Sequence, residues 1–395
     1  MKILLLNDAS NCHRALASGL RRLGCDVTLM SSGGGFMQTE RDIDISRRFP
    51  GPAGGLDLWL RLNTVLAPKL KGYDVVSCTN PVMVELKPTR NRQLFNFLKR
   101  NNRGVFLTAL GTDLPWIEEC LDPQGKMRYN EFRLSGAPGP LALERPDIIR
   151  AWQTPPLSDW TNEFYERIDG AVTVLYEYHL SVSRRLAPEK FTYGGIPVDL
   201  SAQIPVELPD EPSPVRIFLG RHSHRMAEKG TDRLEEAARR AIRRHPGKGE
   251  LIIVENVTYA EYLRQLKSAH LVIDQAYSFT PATNALLAMG YGIPAVSGGE
   301  PEFYDFIGQP RTPGITPPSI GRDGTGFTPG TFDPLRPVIN TPVAVDGTTA
   351  MYEYILEHPG ILRPLGEASR RFVERHNACE TVASRFLEFW RSRLG

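Results

Sequence analysis

The chain opens on KILLL (Lys2–Leu6), an apolar run with no polar alternation. That is the pattern of a strand covered on both faces in a parallel sheet. Leu16, Leu20 and Leu23 then recur at helical spacing over 13–23, Gly24 stands where a helix stops, and CDVTLM reads as a second strand. Strand, helix, strand is a βαβ unit. The rhythm continues with strands over 74–78 (DVVSC), 104–110 (GVFLTAL), 171–175 (AVTVL) and 191–193, and a helix over 93–100. Gly194-Gly195-Ile196-Pro197 ends the series. Residues 201–214, with Pro205, Pro209, Pro212 and Pro214 among acids, read as a linker. A second series follows: strands over 215–219, 251–254, 271–274 and 295–296, and helices over 231–244, 259–269 and 282–289. Helices near 350–357 and over 365–393 close the chain. The expectation is an α/β protein of two doubly wound, Rossmann-like domains facing across a cleft, 1–200 and 215–379. Residues 309–333, rich in Pro, Gly and Thr, form an irregular insertion on the surface of the second.

Composition narrows the classes. A length of 395 residues fits two domains of about 100–200 residues each. With 41% apolar and 23% charged residues, the chain is neither disordered nor fibrous. The 47 Lys+Arg and 45 Asp+Glu leave a net charge of +2, which gives no general drive toward nucleic acid. Five scattered cysteines, with no CxxC pair, argue against a disulfide scaffold and a zinc cluster. No run approaches the ~18 apolar residues of a membrane span, and the start lacks the pattern of a secretory signal. The expected location is cytoplasmic.

In open parallel sheets, ligands bind beyond the carboxyl ends of strands, so the loops after strands carry the candidate chemistry. The first, Asn7-Asp8-Ala9-Ser10-Asn11, offers Ser10 and Asn11. It lacks both GxGxxG and GxxxxGK[ST], and it reads equally as a cap on the next helix. The second is Gly111-Thr112-Asp113, where Asp113 would orient a sugar hydroxyl or cap the turn before Pro115. The third holds Arg221, His222, His224 and Lys229. A guanidinium fork and a lysine near a helix N-terminus suit a diphosphate. The two histidines have no acidic or cysteine partner nearby, so no metal is expected. In the fourth, Thr280 is the expected N-cap and Pro281 the first residue of a helix whose N–H groups could hold an anion. The fifth, Ser297-Gly298-Gly299-Glu300-Pro301-Glu302, offers two glycines for close backbone approach and two acids for a sugar.

Three charged stretches read differently. Asp42-Ile43-Asp44 imitates a DxD metal motif but has no strand directly before it. Residues 87–103 carry Lys87, Arg90, Arg92, Lys99, Arg100 and Arg103 with no acid, and would lean on an anionic membrane or form a core helix with a basic rim. Arg239-Arg240 and Arg243-Arg244 read as a solvated helix face.

The series GR…KG.D.L..A, a Y..YL..L..A helix and LAMGYGIPAV resemble the C-terminal domain of GT-B-fold glycosyltransferases, most closely family 4 (glycosyltransferase group 1), over roughly 215–310. A weaker likeness over 1–200 rests on the opening MKILLLND, on LTALGTD and on YGGIPVDL. The resemblance implies the GT-B architecture, with an acceptor-binding first domain and a nucleotide-sugar-binding second domain. It also implies that the closing helix, 380–395, packs back on the first. Arg221 and Lys229 match the basic pair that members use on the donor diphosphate. With Asp113 they form the implied catalytic set, metal-independent, cofactor-free and retaining. The family's Glu-x7-Glu falls on Phe279 and Leu287, and its N-domain histidine on Leu110. The donor contacts must then come from Glu255, Asp274, Gln275, Thr280, Thr283, Asn284, Gly299, Glu300 and Glu302. Ser10, Asn11, Gly111 and Asp113 would serve the acceptor. The implied function is hexose transfer from a nucleotide-diphosphate sugar to a glycan or lipid-linked acceptor in polysaccharide synthesis, with membrane contact through 87–103. The alternatives are a non-catalytic binding protein of the same fold and a nucleotide-sugar epimerase.

Overall fold

A computed structural model of the chain describes residues 1–33, 40–222, 225–320, 326–341 and 344–395. The chain folds into two compact units. The first comprises Met1–Met127, Arg145–Asp199 and Ala378–Gly395, and the second Arg128–Glu144 and Leu200–Asn377. The sequence places 128–144 in the first domain, whereas the fold builds this segment into the second.

The first unit is a seven-stranded parallel sheet. Its strands are β1 (Lys2–Leu6), β2 (Asp26–Ser31), β3 (Ile43–Asp44), β4 (Val75–Cys78) and β5 (Gly104–Ala109). After the small hairpin β6 (Arg133–Leu134) and β7 (Ala137–Pro138) of the other unit, β8 (Gly170–Thr173) and β9 (Phe191–Tyr193) complete it. The order is β3-β2-β1-β4-β5-β8-β9. Chain order reverses at β1, so the β1 and β4 ends form the switch point where such sheets place ligands. Four helices matter below: α1 (Cys12–Arg22), α2 (Gly51–Asn63), α3 (Pro88–Asn101) and α4 (Leu114–Leu121).

The β1, β4 and β5 interiors are buried throughout, as continuous apolar runs require. In the stretch 42–44, Ile43–Asp44 forms a short edge strand paired with β2, and no strand directly precedes it. Its acids are engaged, Asp42 by Arg21 and the Leu29 N–H, Asp44 by Arg41 and the Ser46 N–H. The last helix, Cys379–Leu394, packs on α1 within this unit. The approach is so close that a Cβ on Gly19 would stand 2.2 Å from the Cys379 carbonyl oxygen. The single helix expected over 365–393 is two, Leu362–His376 and Cys379–Leu394, parted where Asn377 and Ala378 leave the helical path. That break carries the chain from the second unit to the first.

The second unit holds a five-stranded parallel sheet of β10 (Val215–Gly220), β11 (Gly249–Val254), β12 (Leu271–Ile273), β13 (Ala295–Ser297) and, after the hairpin β14 (Ser319–Ile320) and β15 (Phe327–Thr328), β16 (Ile339–Asn340). The order is β11-β10-β12-β13-β16, again doubly wound. Helix Thr231–Arg244 covers one face with Leu234, Ala237, Ala238 and Ala241. Its outer face pairs Arg239 and Arg240 with Glu235 and Glu236, the solvated surface expected there. The 309–333 insertion anchors Ile320, Phe327 and Phe332 on the same core.

Candidate functional site

In the second unit the candidates gather beyond the carboxyl ends of β10, β12 and β13. Arg221 continues β10 by donating its N–H to Val254. Its guanidinium meets Glu255 (Nε to Oε2, 3.1 Å) and Glu235 (Nη1 to Oε2, 3.4 Å). Lys229 ends a short turn of helix, and its ammonium lies 3.2 Å from Asp274, which follows β12. The Asp274 side chain is fully buried and takes a second hydrogen bond from Ser297 at 3.0 Å. Gly230, in the left-handed region at φ 67°, turns the chain into the next helix, and a Cβ there would press on the Tyr277 ring at 2.9 Å. His222 sits in the same field: burial, then Lys229 and Arg225, hold its pKa below the usual value, so it is neutral. His224 lies outside the described residues.

Helix Thr283–Gly290 starts at Thr283, with Ala282 as its cap and no side-chain hydrogen bond to its first N–H groups. The expected cap at Thr280 is therefore corrected. Thr280 closes a tight turn with Ser278, whose hydroxyl donates to the Thr280 carbonyl at 2.7 Å. The helix thus keeps an uncapped, partly positive N-terminus carrying Thr283 and Asn284. Tyr262 ties this end to the sheet: its ring lies where a Gly220 Cβ would fall, and its hydroxyl donates to Asn284. Burial and the Asp274 charge raise its pKa, so the phenol stays protonated.

The loop 297–302 forms a second cluster. Gly298 and Gly299 approach their own chain rather than open space, since a Cβ on either would strike Ser278 or Val338. Glu300 is buried, and both oxygens are taken. Tyr129 donates to Oε1 and Arg128 to Oε2, each at 2.6 Å. Arg128 also grips Glu302 at 2.8 Å. Burial would raise the Glu302 pKa, but these bonds hold it below the ordinary value. Tyr129 stacks on Phe279 with ring centroids 5.0 Å apart. At the Glu-x7-Glu positions Phe279 is buried and Leu287 packs, partly buried, against the core beneath β12. Arg128 and Tyr129 escape sequence reasoning because no motif surrounds them and their partners lie about 170 positions away.

In the first unit, Asn7, Ser10 and Asn11 all take left-handed φ (67°, 53° and 63°). For non-glycine residues that costs about 1 kcal/mol each, the kind of strain found at binding loops. Asn11 makes no side-chain cap to α1; Asp8 accepts the His13 N–H at 2.9 Å instead. The second Asp8 oxygen is buried with no hydrogen-bond partner among the described residues, and burial pushes the Asp8 pKa up to about 6. His13 is fully buried beneath the loop. Its Nδ1 meets the Asn7 carbonyl at 2.7 Å and its Nε2 the Thr108 hydroxyl at 2.9 Å, and Thr108 meets Ser77 at 2.8 Å. A carbonyl only accepts, so Nδ1 carries the proton and Nε2 accepts from Thr108. Burial lowers the His13 pKa to about 4, consistent with that neutral tautomer. The loop is thereby pinned to β4 and β5.

Gly111 turns at φ 87° into Asp113. Asp113 caps α4 by accepting the Trp116 N–H at 3.0 Å, and its other oxygen accepts the Tyr165 hydroxyl at 2.6 Å. Burial raises its pKa to about 6 against both bonds. Direct contact with an acceptor would require one of them to open.

No family model matches the sequence, and no curated protein does. Solved structures do match in shape. Sucrose-phosphate synthase from Thermosynechococcus elongatus is 13% identical, with a TM-score of 0.59 over 99% of each chain. HepE from Anabaena, in complex with UDP and glucose, is 13% identical, with a TM-score of 0.55 over 99% of this chain and 100% of its own. A putative UDP-N-acetylglucosamine 2-epimerase from Listeria monocytogenes is 10% identical, with a TM-score of 0.52 over 98% and 94%. At such identities the likeness is one of fold, and that fold is GT-B, a pair of doubly wound domains.

Proposed function

We propose that the protein is a glycosyltransferase that moves a hexose from a nucleotide-diphosphate sugar to a glycan or lipid-linked acceptor in polysaccharide synthesis. The observation that carries this reading is that Arg221 follows β10, Lys229 pairs with Asp274 just after β12, and the next helix starts with no side-chain cap on its N–H groups. A fork of donors, a point charge and free N–H groups together suit a diphosphate. Negative charge grows on the diphosphate as the sugar–oxygen bond breaks, and fixed cations already in place stabilise that charge. The site then needs no metal. In a retaining transfer the bond from the anomeric carbon to the diphosphate breaks and the bond to the acceptor oxygen forms. The acceptor proton passes to the departing diphosphate. In this reading Asn284, Thr283 and Asp274 contact the donor. Glu300, held by Arg128 and Tyr129, joins them in this reading.

HepE was solved with UDP and glucose, so a UDP-sugar is the first donor to try. Titration calorimetry with UDP- and GDP-sugars, first in chelator and then with magnesium, tests the reading. One donor should bind without metal, and Arg221→Ala should weaken it at least tenfold, about 1.4 kcal/mol. A specific observation supports a second reading, a non-catalytic binding protein. Arg221, Lys229 and Glu300 are each already in an ion pair, so a ligand must displace a carboxylate. Binding without turnover would favour it. The epimerase alternative shares the fold, and product analysis separates it from transfer.

A further inference from the structure

Residues 128–144 belong to the second unit, although the chain on both sides of them belongs to the first. Backbone hydrogen bonds run within the stretch. The Asn130 and Arg133 N–H groups each donate to the other's carbonyl, at 2.9 and 3.2 Å, and the Asn130 side chain accepts from the Phe132 and Arg133 N–H groups. Gly139 donates to the Phe132 carbonyl at 2.7 Å and Leu141 to the Glu131 carbonyl at 3.0 Å. The hairpin β6–β7 and the short helix Pro140–Glu144 after it are thus one small folded element. Such an element can open without unfolding the sheet beside it.

The element touches three loops of the second unit. Arg128 and Tyr129 lie against the Phe279 ring after β12. The same two side chains hold Glu300, and Arg128 holds Glu302, both after β13. The helix Pro140–Glu144 packs on Met226–Lys229, the turn of helix after β10 that ends in Lys229. An open parallel sheet binds its ligand beyond just such strand ends. The chain around the element is largely exposed, at Pro123, Gln124 and Lys126 before it and over 143–147 at its end. Its hairpin tip, 135–138, is exposed as well. Its apolar anchors are Tyr129, Phe132 and Leu141, all buried.

We propose that residues 128–144 are a strap over the donor site, closed in this structure, which lifts to admit the sugar of the donor. The proposal rests on the donor reading above. In that reading the sugar meets Glu300, and Arg128 and Tyr129 occupy both of its oxygens. A sugar hydroxyl reaches the carboxylate only when those side chains leave. Their departure breaks no sheet pairing, because the backbone bonds of the strap stay within it. Lifting exposes Tyr129, Phe132 and Leu141, so the closed state dominates. The diphosphate half of the site differs, since Arg221 and Lys229 pair with Glu235, Glu255 and Asp274 outside the strap. UDP should therefore bind with the strap closed, whereas a UDP-sugar should need it open.

Hydrogen exchange of the full chain, read by mass spectrometry, tests the strap without a ligand. Amides of 128–144 should exchange at least about tenfold faster than those of β10, β12 and β13. Tyr129→Phe, which removes the hydroxyl from Glu300 and keeps the ring on Phe279, should speed the strap about tenfold more and leave the strands unchanged. Exchange of strap and strands in step, in both proteins, overturns the proposal. Calorimetry then compares UDP with UDP-glucose. Tyr129→Phe should leave UDP affinity unchanged and tighten UDP-glucose by about the same tenfold, because the open state is then more populated. UDP-glucose weakened by Tyr129→Phe beside unchanged UDP also overturns the proposal, since Tyr129 is then a sugar contact and not a block. If neither ligand binds the wild-type protein, it is the donor reading that falls, and the exchange rates still decide whether 128–144 lifts as a unit.

Discussion

Arg128 reaches Glu300 at 2.6 Å, and the two residues come from the two segments of the second unit, which residues 145–199 of the first unit separate in sequence. The guanidinium also lies over the rings of Phe279 and Tyr129. A segment that interrupts the first unit in sequence therefore fixes the loop in which the donor acids were expected. The side-chain exposures differ, 46% for Arg128 and 7% for Glu300, so water reaches one partner and not the other.

That asymmetry sets the cost of breaking the pair. Arg128→Met should destabilise the second unit by about 2 kcal/mol, below the ~3–5 kcal/mol of a fully buried pair because the arginine is already half in water. Glu300→Gln should rescue part of the loss. Urea unfolding of both single variants and the double should yield a coupling of about 1–2 kcal/mol. Strict additivity would mean that the contact contributes nothing.

Arg221 and Lys229 should differ in what they support. Removing Lys229 strips the ion pair from Asp274, whose side chain is fully buried, and leaves it only Ser297. Removing Arg221 leaves Glu235 and Glu255, which are partly solvated. Lys229→Met should thus lower stability by about 2 kcal/mol or more, and Arg221→Met by less than about 1 kcal/mol. Both should weaken binding of UDP by tenfold or more. Thermal unfolding beside calorimetry with UDP separates the two effects. Unchanged UDP affinity in both variants would remove the diphosphate role.

Much of the frame was legible because single-sequence signals are strong where burial is uniform. Lys2–Leu6 and Phe191–Tyr193 match their expected bounds, as does Thr231–Arg244, whose small and leucine residues make one stripe. Helix α2 was missed because its leucines face two ways and Gly54-Gly55 oppose a helix. The exchange of Arg128–Glu144 between units leaves no composition shift to read. The places of Arg221 directly after β10 and of Lys229 before the helix Thr231–Arg244 were legible in the sequence. Their engagement by Glu235, Glu255 and Asp274 was not, since side-chain partners depend on how strands neighbour one another. The Thr-Pro cap signal failed because the Ser278 hydroxyl draws Thr280 into a turn of its own.

Asp113 separates capping from substrate contact. Asp113→Ala should cost about 2 kcal/mol, from the lost cap of α4 and the stranded Tyr165 hydroxyl. Asp113→Asn keeps an oxygen for the Trp116 N–H and should cost about 1 kcal/mol or less. If the carboxylate served only the helix, Asp113→Asn would retain most of the activity. A loss beyond a hundredfold, with the fold intact by circular dichroism, would mean that the charge acts on the acceptor.

The buried groups of the first unit oppose one another in pH dependence. His13 has a folded pKa of about 4 against an ordinary 6.5. Between those values the unfolded chain holds a proton that the folded chain lacks, so stability rises with pH. Asp8 and Asp113, near 6 when folded and 3.8 ordinarily, do the reverse. Through pH 4–6 the folded chain holds their protons and the unfolded chain does not, so their share of stability falls as pH rises. Each group contributes a slope of at most about 1.4 kcal/mol per pH unit. Over pH 4–6 the wild-type profile should therefore fall with about the slope of one such group, since His13 offsets one of the two carboxyls. His13→Gln removes the rising share while keeping a donor and an acceptor for Asn7 and Thr108. Its stability, measured by urea unfolding at intervals from pH 4 to 7, should fall more steeply toward pH 6 than that of the wild type. Asp8→Asn should tilt the profile the other way. If His13→Gln instead leaves the slope unchanged, the imidazole titrates alike in the folded and unfolded chains, and the neutral His13–Thr108–Ser77 chain is not what pins the loop.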